Sequence, residues 1–423
     1  MGVILYNIFL ALFKSGIIVA SLFNRKAKKW LKGRKNIFKK LAKAIPGNEN
    51  IIWVHCASLG EFEQGRPLIE RLRVQSPKHK ILLTFFSPSG YEVQKDYKGA
   101  DWVFYLPSDG PWHAKRFLKI VKPSLVIFVK YEFWYYYLKK IKYRHIPLIL
   151  VSAFFHRDMA FFKWYGALQR KMLSRFAHLF VQNEESNSLM GEIGLAGITS
   201  ISGDTRFDRV IEIAEKFQPI PLIEQFIGDK KVIVAGSTWK EDEEVLQKTF
   251  ATINGPALKL IIAPHEINES HLNDLKKLFP GSVLFSQLTT DHSTPGSFRD
   301  TTCLIIDNIG MLSRLYHYGY IAFIGGGYKP LGVHNVLEAA VYGKPVLFGP
   351  FYEKYTEAVE LIKKEGAICV KDDDELKKTI QRLLQDREKY TFHSKRSLDY
   401  VKENKGATEK IIQYIQEKRL LTS

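Results

Sequence analysis

Two doubly wound α/β domains, each a parallel sheet covered by helices on both faces, are the fold this sequence predicts. Three features carry the prediction. From about residue 50, short apolar runs alternate with longer helical stretches; the alternation breaks around residues 207–230 and then restarts; and late in the chain a glycine-rich turn leaves an apolar run and feeds a helix-like one. Such alternation marks parallel sheets built from βαβ units. A chain of 423 residues suits two domains of about 200 residues better than a single core.

The strand-like runs of the first half are residues 51–57, 80–86, 102–106, 125–129, 146–152, 178–182 and 198–203. Many are continuously apolar, as strands buried on both faces are. Helical stretches such as 61–74 and 112–121 separate them. Phe217-Gln218-Pro219-Ile220-Pro221 reads as a linker, after which strand-like runs recur at 231–235, 258–263, 283–286, 303–306, 320–324, 345–348 and 367–370. The expected division is an N-terminal arm 1–48, a first domain 49–210, a linker 211–230 and a second domain 231–423, whose charged helical tail begins near 371. Two such domains are expected to face a cleft. Neither carries a strict G-x-G-x-x-G after its first strand, which disfavours a dinucleotide coenzyme, and no cofactor is expected.

Charge is unevenly placed. Residues 1–48 carry eleven Lys and Arg and no Asp or Glu, leaving +7 of the net +18 for the rest of the chain. The basic stretch follows an apolar run, Met1 to Phe23, that is about long enough to cross a bilayer. Lys14 in its middle adds roughly 3 kcal/mol to a clean span. A cleaved signal peptide has its basic residues before the apolar run, and here they come after. The positive-inside rule then puts the chain beyond Phe23 in the cytoplasm. Trp30, Leu31, Ile37, Phe38, Leu41 and Ala42, interleaved with lysines, read as an amphipathic helix on an anionic membrane surface; nucleic acid is the rival partner, set aside because no nucleic-acid motif is visible. Cys56, Cys303 and Cys369 form neither a metal-type pair nor a disulfide framework, so buried thiols in a reducing compartment are expected.

The glycine-rich turn is Gly325-Gly326-Gly327, followed by Gly332, His334, Asn335, Val336, Leu337 and Glu338. Such a turn offers backbone N–H groups and a helix N-terminus to an anion. An ordinary strand–turn–helix with glycines selected for close packing accounts for it equally well. Asn335 and Glu338, three apart, can share one helix face, and a carboxylate there suits sugar hydroxyls. In the first domain Ser58, Gly60 and Glu61 follow the first strand. Glu61 is either a carboxylate at the mouth of a cleft or one half of a capping box with Ser58. Glu132 ends a later strand, so paired carboxylates for proton abstraction or cation binding are a second expectation. The aromatic run 133–137 reads as an acceptor surface or as core. No His/Asp metal-ligand spacing is present, and no metal is expected.

Taken in order, these residues resemble the 3-deoxy-D-manno-octulosonic acid (Kdo) transferase family of lipopolysaccharide synthesis. His55, Ser58, Gly60 and Glu61 match its His-x-x-Ser-x-Gly-Glu pattern, and Glu132-Phe133-Trp134 its strand-end acidic motif. Gly203-Asp204-Thr205-Arg206-Phe207-Asp208, Ala235-Gly236-Ser237-Thr238 and the block from Gly325 to Glu338 match three more segments. Arg206 stands where Lys is usual, Pro264-His265-Glu266 where Pro-Arg-His is common, Val333 and Val336 in place of Gly and Pro, and Lys130 where many members have an acidic residue.

The resemblance implies a GT-B fold and a metal-independent, inverting transfer of Kdo from CMP-Kdo to a lipid A precursor, lipid IVA, at the cytoplasmic face of the inner membrane. It implies Glu61 as base, with Glu132 and Arg206 stabilising the transition state. It implies a donor site drawn from Ser237, Thr238, Pro264, His265, Ile309, Gly310, Met311, Gly326, Gly327, His334, Asn335, Val336, Leu337 and Glu338, with Ser58 and Gly60 toward the acceptor. A GT-B enzyme using a UDP-sugar on another membrane lipid precursor, a sugar epimerase, and a membrane-bound polyanion-binding protein share parts of the pattern.

Overall fold

The computed structural model describes residues 2–253, 258–290 and 301–421. They form two compact units, 1–209 with 405–423, and 210–404.

The first unit is built on a seven-stranded sheet: β1 (Ile51–Cys56), β2 (Lys80–Phe85), β3 (Trp102–Tyr105), β4 (Pro123–Val129), β5 (Leu148–Ala153), β6 (His178–Val181) and β7 (Thr199–Ile201), in the order β3-β2-β1-β4-β5-β6-β7. Neighbouring strands pair parallel throughout. The period of two sorts β1 between two cores. Ile51 and Trp53 join Phe117, Phe128 and Tyr137 on one face, while Ile52, Val54 and Cys56 join Phe62, Leu68 and Phe85 on the other. Both faces are dry, which is why these strands read as unbroken apolar runs.

The second unit repeats the plan with β8 (Lys231–Thr238), β9 (Leu258–Pro264), β10 (Val283–Leu284), β11 (Cys303–Ile305), β12 (Ile321–Ile324), β13 (Val346–Phe348) and β14 (Ala367–Cys369), ordered β10-β11-β9-β8-β12-β13-β14 and again parallel. Each strand expected from the sequence is present; most are shorter by a residue or two, whereas β4, β8 and β9 run longer than expected.

Both chain termini depart from the sequence expectation. The arm 1–48 is part of the first unit. Its helices Gly2–Ala20, Arg25–Arg34 and Ile37–Ala44 are packed on that unit, and Trp30, Ile37 and Leu41 are buried in it. The apolar face read as lipid-facing is therefore covered by protein, and the lysines face outward. Arg34 fastens the second of these helices: its guanidinium lies 3.8 Å from the Trp30 ring centroid and donates to Leu106 O at 2.9 Å and Phe86 O at 2.8 Å.

At the other end, the tail expected to close the second domain divides. Asp373–Gln385 and Arg387–Glu403 stay with the second unit, while Ala407–Glu417 returns to the first. Ile411, Ile412 and Ile415 complete the core beneath β1 and β2, and Asp208 accepts the Gly406 and Thr408 N–H groups that open the helix. His178 on β6 stacks on Tyr414 of this helix at 4.2 Å and contacts Ser200 Oγ at 2.7 Å.

Burial, with Lys418 nearby, holds the His178 imidazole down to about 4. A histidine neutral in the fold but free to charge when unfolded lets the unfolded chain bind more protons below its ordinary pKa of about 6.5. The stability that wild type holds over His178→Gln at pH 7.5 is accordingly expected to shrink as pH falls from 6.5 toward 4. Thermal melting of both proteins across that range checks it. A constant gap would mean that the helix does not bury His178.

Candidate active site

Each sheet places several of its candidate residues at the point where its strand order reverses. In the first unit the chain winds outward from β1 through β2 to β3, then starts again at β4 on the other side of β1. Diverging crossovers open a crevice there, beyond the carboxyl ends of the two strands. β1 runs into Ala57-Ser58-Leu59-Gly60-Glu61, and β4 into Lys130-Tyr131-Glu132. The two carboxylates stand on the two lips of that crevice. The Cys56 thiol senses both: burial pushes it up most, and the charges of Glu61 and Glu132 add to the shift. Burial and Glu61 together push the Tyr131 hydroxyl up to about 12. Lys130 has φ +64°, a left-handed conformation that costs a non-glycine residue roughly 1–2 kcal/mol, and it turns the loop that carries Glu132.

Glu61 is half-exposed. Ser58 occupies the N-cap of the helix Leu59–Gln75 but accepts no helix N–H; its hydroxyl donates to the Glu61 carboxylate. The reciprocal capping box allowed by the spacing is not what forms.

Glu132 is buried, 7% exposed, and one oxygen takes two donors: His55 Nε2 at 2.8 Å and Trp134 Nε1 at 2.6 Å from Oε2. Behind it, His55 Nδ1 lies 2.9 Å from Thr84 Oγ1, which accepts the Trp53 Nε1–H at 2.7 Å. Sequence reasoning placed His55 and Trp134 within motifs but gave them no part in the site, because a contact across 77 positions leaves no local periodicity. Of the aromatic run, Tyr135, Tyr136 and Tyr137 are core.

Arg206 opens the helix Thr205–Glu215 beyond β7 and is clamped by Asp204, with Nε at 2.9 Å and Nη2 at 2.8 Å from Oδ2. Burial alone would raise Asp204, but the guanidinium and hydrogen bonds from Arg206 and Gln64 hold it below the usual carboxylate range. Gln64, one turn after Glu61, reaches Asp204 at 3.2 Å, and Thr205 donates to the Gln64 carbonyl. All three catalytic candidates thus belong to one unit.

In the second unit the order reverses between β8 and β12. β8 ends in Ser237-Thr238-Trp239 and β12 runs into the glycine turn. Here two of the three glycine N–H groups are engaged within the fold. Gly325 N–H donates to Gly236 O at 2.8 Å, Gly326 N–H to Asp242 Oδ2 at 2.7 Å, and His334 N–H to Gly325 O at 3.1 Å. Those donors are spent inside the fold. Asp242 also accepts the Trp239 N–H at 2.8 Å, and burial pushes its carboxyl up to about 6. The glycines serve close approach: a Cβ on Gly325 would lie 2.3 Å from Ser237 O, and one on Gly327 2.3 Å from Gly349 N. The helix that follows, Leu337–Ala340, is a single turn.

Exposed chemistry surrounds this turn. Trp239, His265 and His334 form a flat stack, with centroids 4.6 Å apart for the first pair and 4.5 Å for the second, and Lys329 Nζ lies 4.0 Å from the Trp239 ring centroid. Burial, then His265, hold His334 down to about 4, so its ring is neutral. Its Nε2 accepts the Trp239 Nε1–H at 2.9 Å, which assigns the proton to Nδ1. Asn335 donates to Glu338 Oε1 at 3.1 Å, the shared face expected from their spacing. Ser237 holds φ +55° at the strand end. Ile309 and Gly310 are exposed beyond β11, while Met311 is buried. Thr238 is buried and donates to Glu243 at 2.9 Å, and the side chains of Val336, Leu337 and Pro264 are also buried. Those four can meet a ligand through backbone groups. Trp239, Lys329 and Asp242 were missed; the one local signal was an acid at the third helical position, where Asp242 accepts the Trp239 N–H. Among the described residues no group of three or more His, Cys, Asp or Glu is placed to hold a metal ion.

Two parallel α/β units, each with polar residues at its reversal point, define the GT-B class. A solved structure of this architecture, UDP-GlcNAc 2-epimerase from Neisseria meningitidis bound to UDP-GlcNAc, has a TM-score of 0.61, covering 87% of this chain and 100% of that one at 16% identity, and shows the likeness of fold. Residues 26–209 match the family described as 3-Deoxy-D-manno-octulosonic-acid transferase (kdotransferase). The 3-deoxy-D-manno-octulosonic acid transferase of Aquifex aeolicus is 32% identical over 340 residues, 79% of this chain and 86% of that protein. That of Haemophilus influenzae is 25% identical over 377 residues, 86% of each chain. The chain belongs to the Kdo transferase family and is a glycosyltransferase.

Proposed function

We propose that the chain moves Kdo from CMP-Kdo to a lipid A precursor, lipid IVA, by a single inverting displacement. The observation that carries the reading is the carboxylate pair at the β1/β4 reversal: Glu61 half-exposed and ready to take a proton, Glu132 buried and fixed by two N–H donors. Glu61 removes the proton of the acceptor hydroxyl as its oxygen attacks the anomeric carbon. Glu132 stabilises positive charge developing on the sugar, and Arg206, aimed by Asp204, offsets negative charge on the departing CMP. The second unit holds the nucleotide: the Trp239–His265–His334 stack and Lys329 suit a flat base and a phosphate, and Asn335 with Glu338 suits sugar hydroxyls. Glu338→Ala is expected to weaken CMP binding by about 1–3 kcal/mol, read by calorimetry. An unchanged affinity, or a preference for UDP, favours a UDP-sugar enzyme of the same fold.

The membrane side of the reading rests on the helix Gly2–Ala20, which is long and apolar enough to cross a bilayer, and on the basic outer faces of the two helices after it. Together they suit anionic lipid at the cytoplasmic face of the inner membrane. The test is purified protein with CMP-Kdo and lipid IVA, the product read by mass spectrometry. Kdo-bearing product that survives EDTA is expected. Loss on chelation, restored by Mg²⁺, overturns the metal-independent reading; product from a UDP-sugar alone overturns the donor.

A further inference from the structure

We infer that His55 is a positioning residue for Glu132, fixing the direction of its carboxylate, and this rests on the role proposed above for Glu132. His55 lies on β1 with no exposed surface, and both ring nitrogens are engaged. Its register partners are Thr84 on β2 and Phe128 on β4, so it lies between the two strands flanking β1. The ring is held edge-on to Phe128 at 5.2 Å.

Trp53 Nε1–H can only donate, so Thr84 Oγ1 accepts it at 2.7 Å. His55 Nδ1 is held on the Thr84 side of the ring, 2.9 Å from Thr84 Oγ1 and 3.0 Å from Thr84 O. That anchor aims Nε2 at Glu132 Oε2, 2.8 Å away, and opposite a carboxylate oxygen Nε2 is the donor. Trp134 donates to the same oxygen, so both bonds leave Oε1 out of the pair and fix the plane of the group from one side.

Glu132 is buried, and the two N–H donors on its Oε2 are those of His55 and Trp134. Removing one leaves a buried carboxylate oxygen short of a partner and its direction set by a single bond.

A residue that only filled space would be replaced by Phe without altering turnover. His55→Phe and His55→Gln separate the two cases, since Gln keeps an N–H at about the position of Nε2. His55→Phe is expected to lower kcat by about 10–100-fold with the KM for CMP-Kdo unchanged. His55→Gln is expected to restore most of kcat. Equal losses in both variants overturn the inference, as does a Phe variant as active as wild type.

Should His55→Phe not fold, or should wild type prove inactive on CMP-Kdo, the bond is read without turnover. In ¹⁵N-histidine spectra the His55 Nε2–H resonance is expected downfield and is expected to lose that shift in Glu132→Gln. A resonance unchanged by that substitution overturns the inference, whereas an inactive wild type overturns only the substrate assignment.

Discussion

Glu61→Gln is expected to lower turnover by about 10²–10⁴ while leaving melting temperature and CMP affinity close to wild type. The size follows from removing a general base whose proton acceptance has no substitute at that strand end. The specificity follows from the geometry. Glu61 is half-exposed and accepts the Ser58 hydroxyl, a bond that an amide oxygen still accepts. No helix-capping bond of Ser58 depends on it, so stability is expected to change by no more than about 0.5 kcal/mol, the range of ordinary surface substitutions. The nucleotide candidates belong to the other compact unit, so CMP binding should not change. Steady-state kinetics with calorimetry on one preparation decides it. Near-wild-type kcat refutes the base; a large drop in melting temperature with a proportional loss of activity returns Glu61 to a structural role.

The sheets were legible because burial on both faces makes a parallel strand apolar at every position, a signal that needs no partner to be read. Glu61 and Glu132 were legible because a strand end is where this fold presents side chains. What stayed hidden depends on the identity of the partner. The stripe of Trp30, Ile37 and Leu41 announces a surface to be covered, and periodicity is the same whether lipid or protein covers it; here it is protein. Ala407–Glu417 follows two helices of the second unit in sequence, yet Ile411, Ile412 and Ile415 fill a gap under β1 and β2. The glycine turn has the pattern of an anion site, but its Gly326 N–H is taken by Asp242, 84 positions upstream. The His55–Glu132 contact is hidden for the same reason, since each residue reads locally as something ordinary.

Removing residues 2–20 is expected to do two separable things, because the helix Gly2–Ala20 is apolar on two sides. Val3, Tyr6, Leu10, Phe13, Ile17 and Ala20, spaced three and four apart, are half-buried, and Val3, Tyr6 and Leu10 pack on the core of the first unit. Tyr6 donates to Asp109 at 2.7 Å and accepts the Tyr135 N–H at 3.2 Å; Tyr136 donates to Asn7 Oδ1 at 2.7 Å. Asp109 in turn accepts the Tyr136 and Tyr137 N–H groups at 2.9 and 3.2 Å, so the helix is tied to the start of the helix Tyr135–Tyr143, directly after the loop that carries Glu132. The opposite side, with Ile4, Leu5, Ile8, Phe9, Leu12, Ile18 and Val19, is exposed.

Truncation should therefore destabilise the first unit, where a free tether would not. Losing the bond to a buried carboxylate alone costs about 1.5–3 kcal/mol, before any apolar contact is counted. Truncation should also turn salt-resistant attachment to anionic vesicles into attachment that salt releases. The lysines then act alone, at roughly 1 kcal/mol each near the surface and screened over about 10 Å in 0.1 M salt. Two point variants divide the effects. Tyr6→Phe is expected to lower stability and keep salt-resistant binding; Ile8→Asn with Phe9→Asn is expected to keep stability and lose it. Melting curves and sedimentation with phosphatidylglycerol vesicles in low and high salt read both. If the truncated chain melts like the full chain, the helix is a tether and its packing on the first unit contributes nothing. If the full chain leaves the vesicles in high salt, the exposed apolar side does not meet lipid.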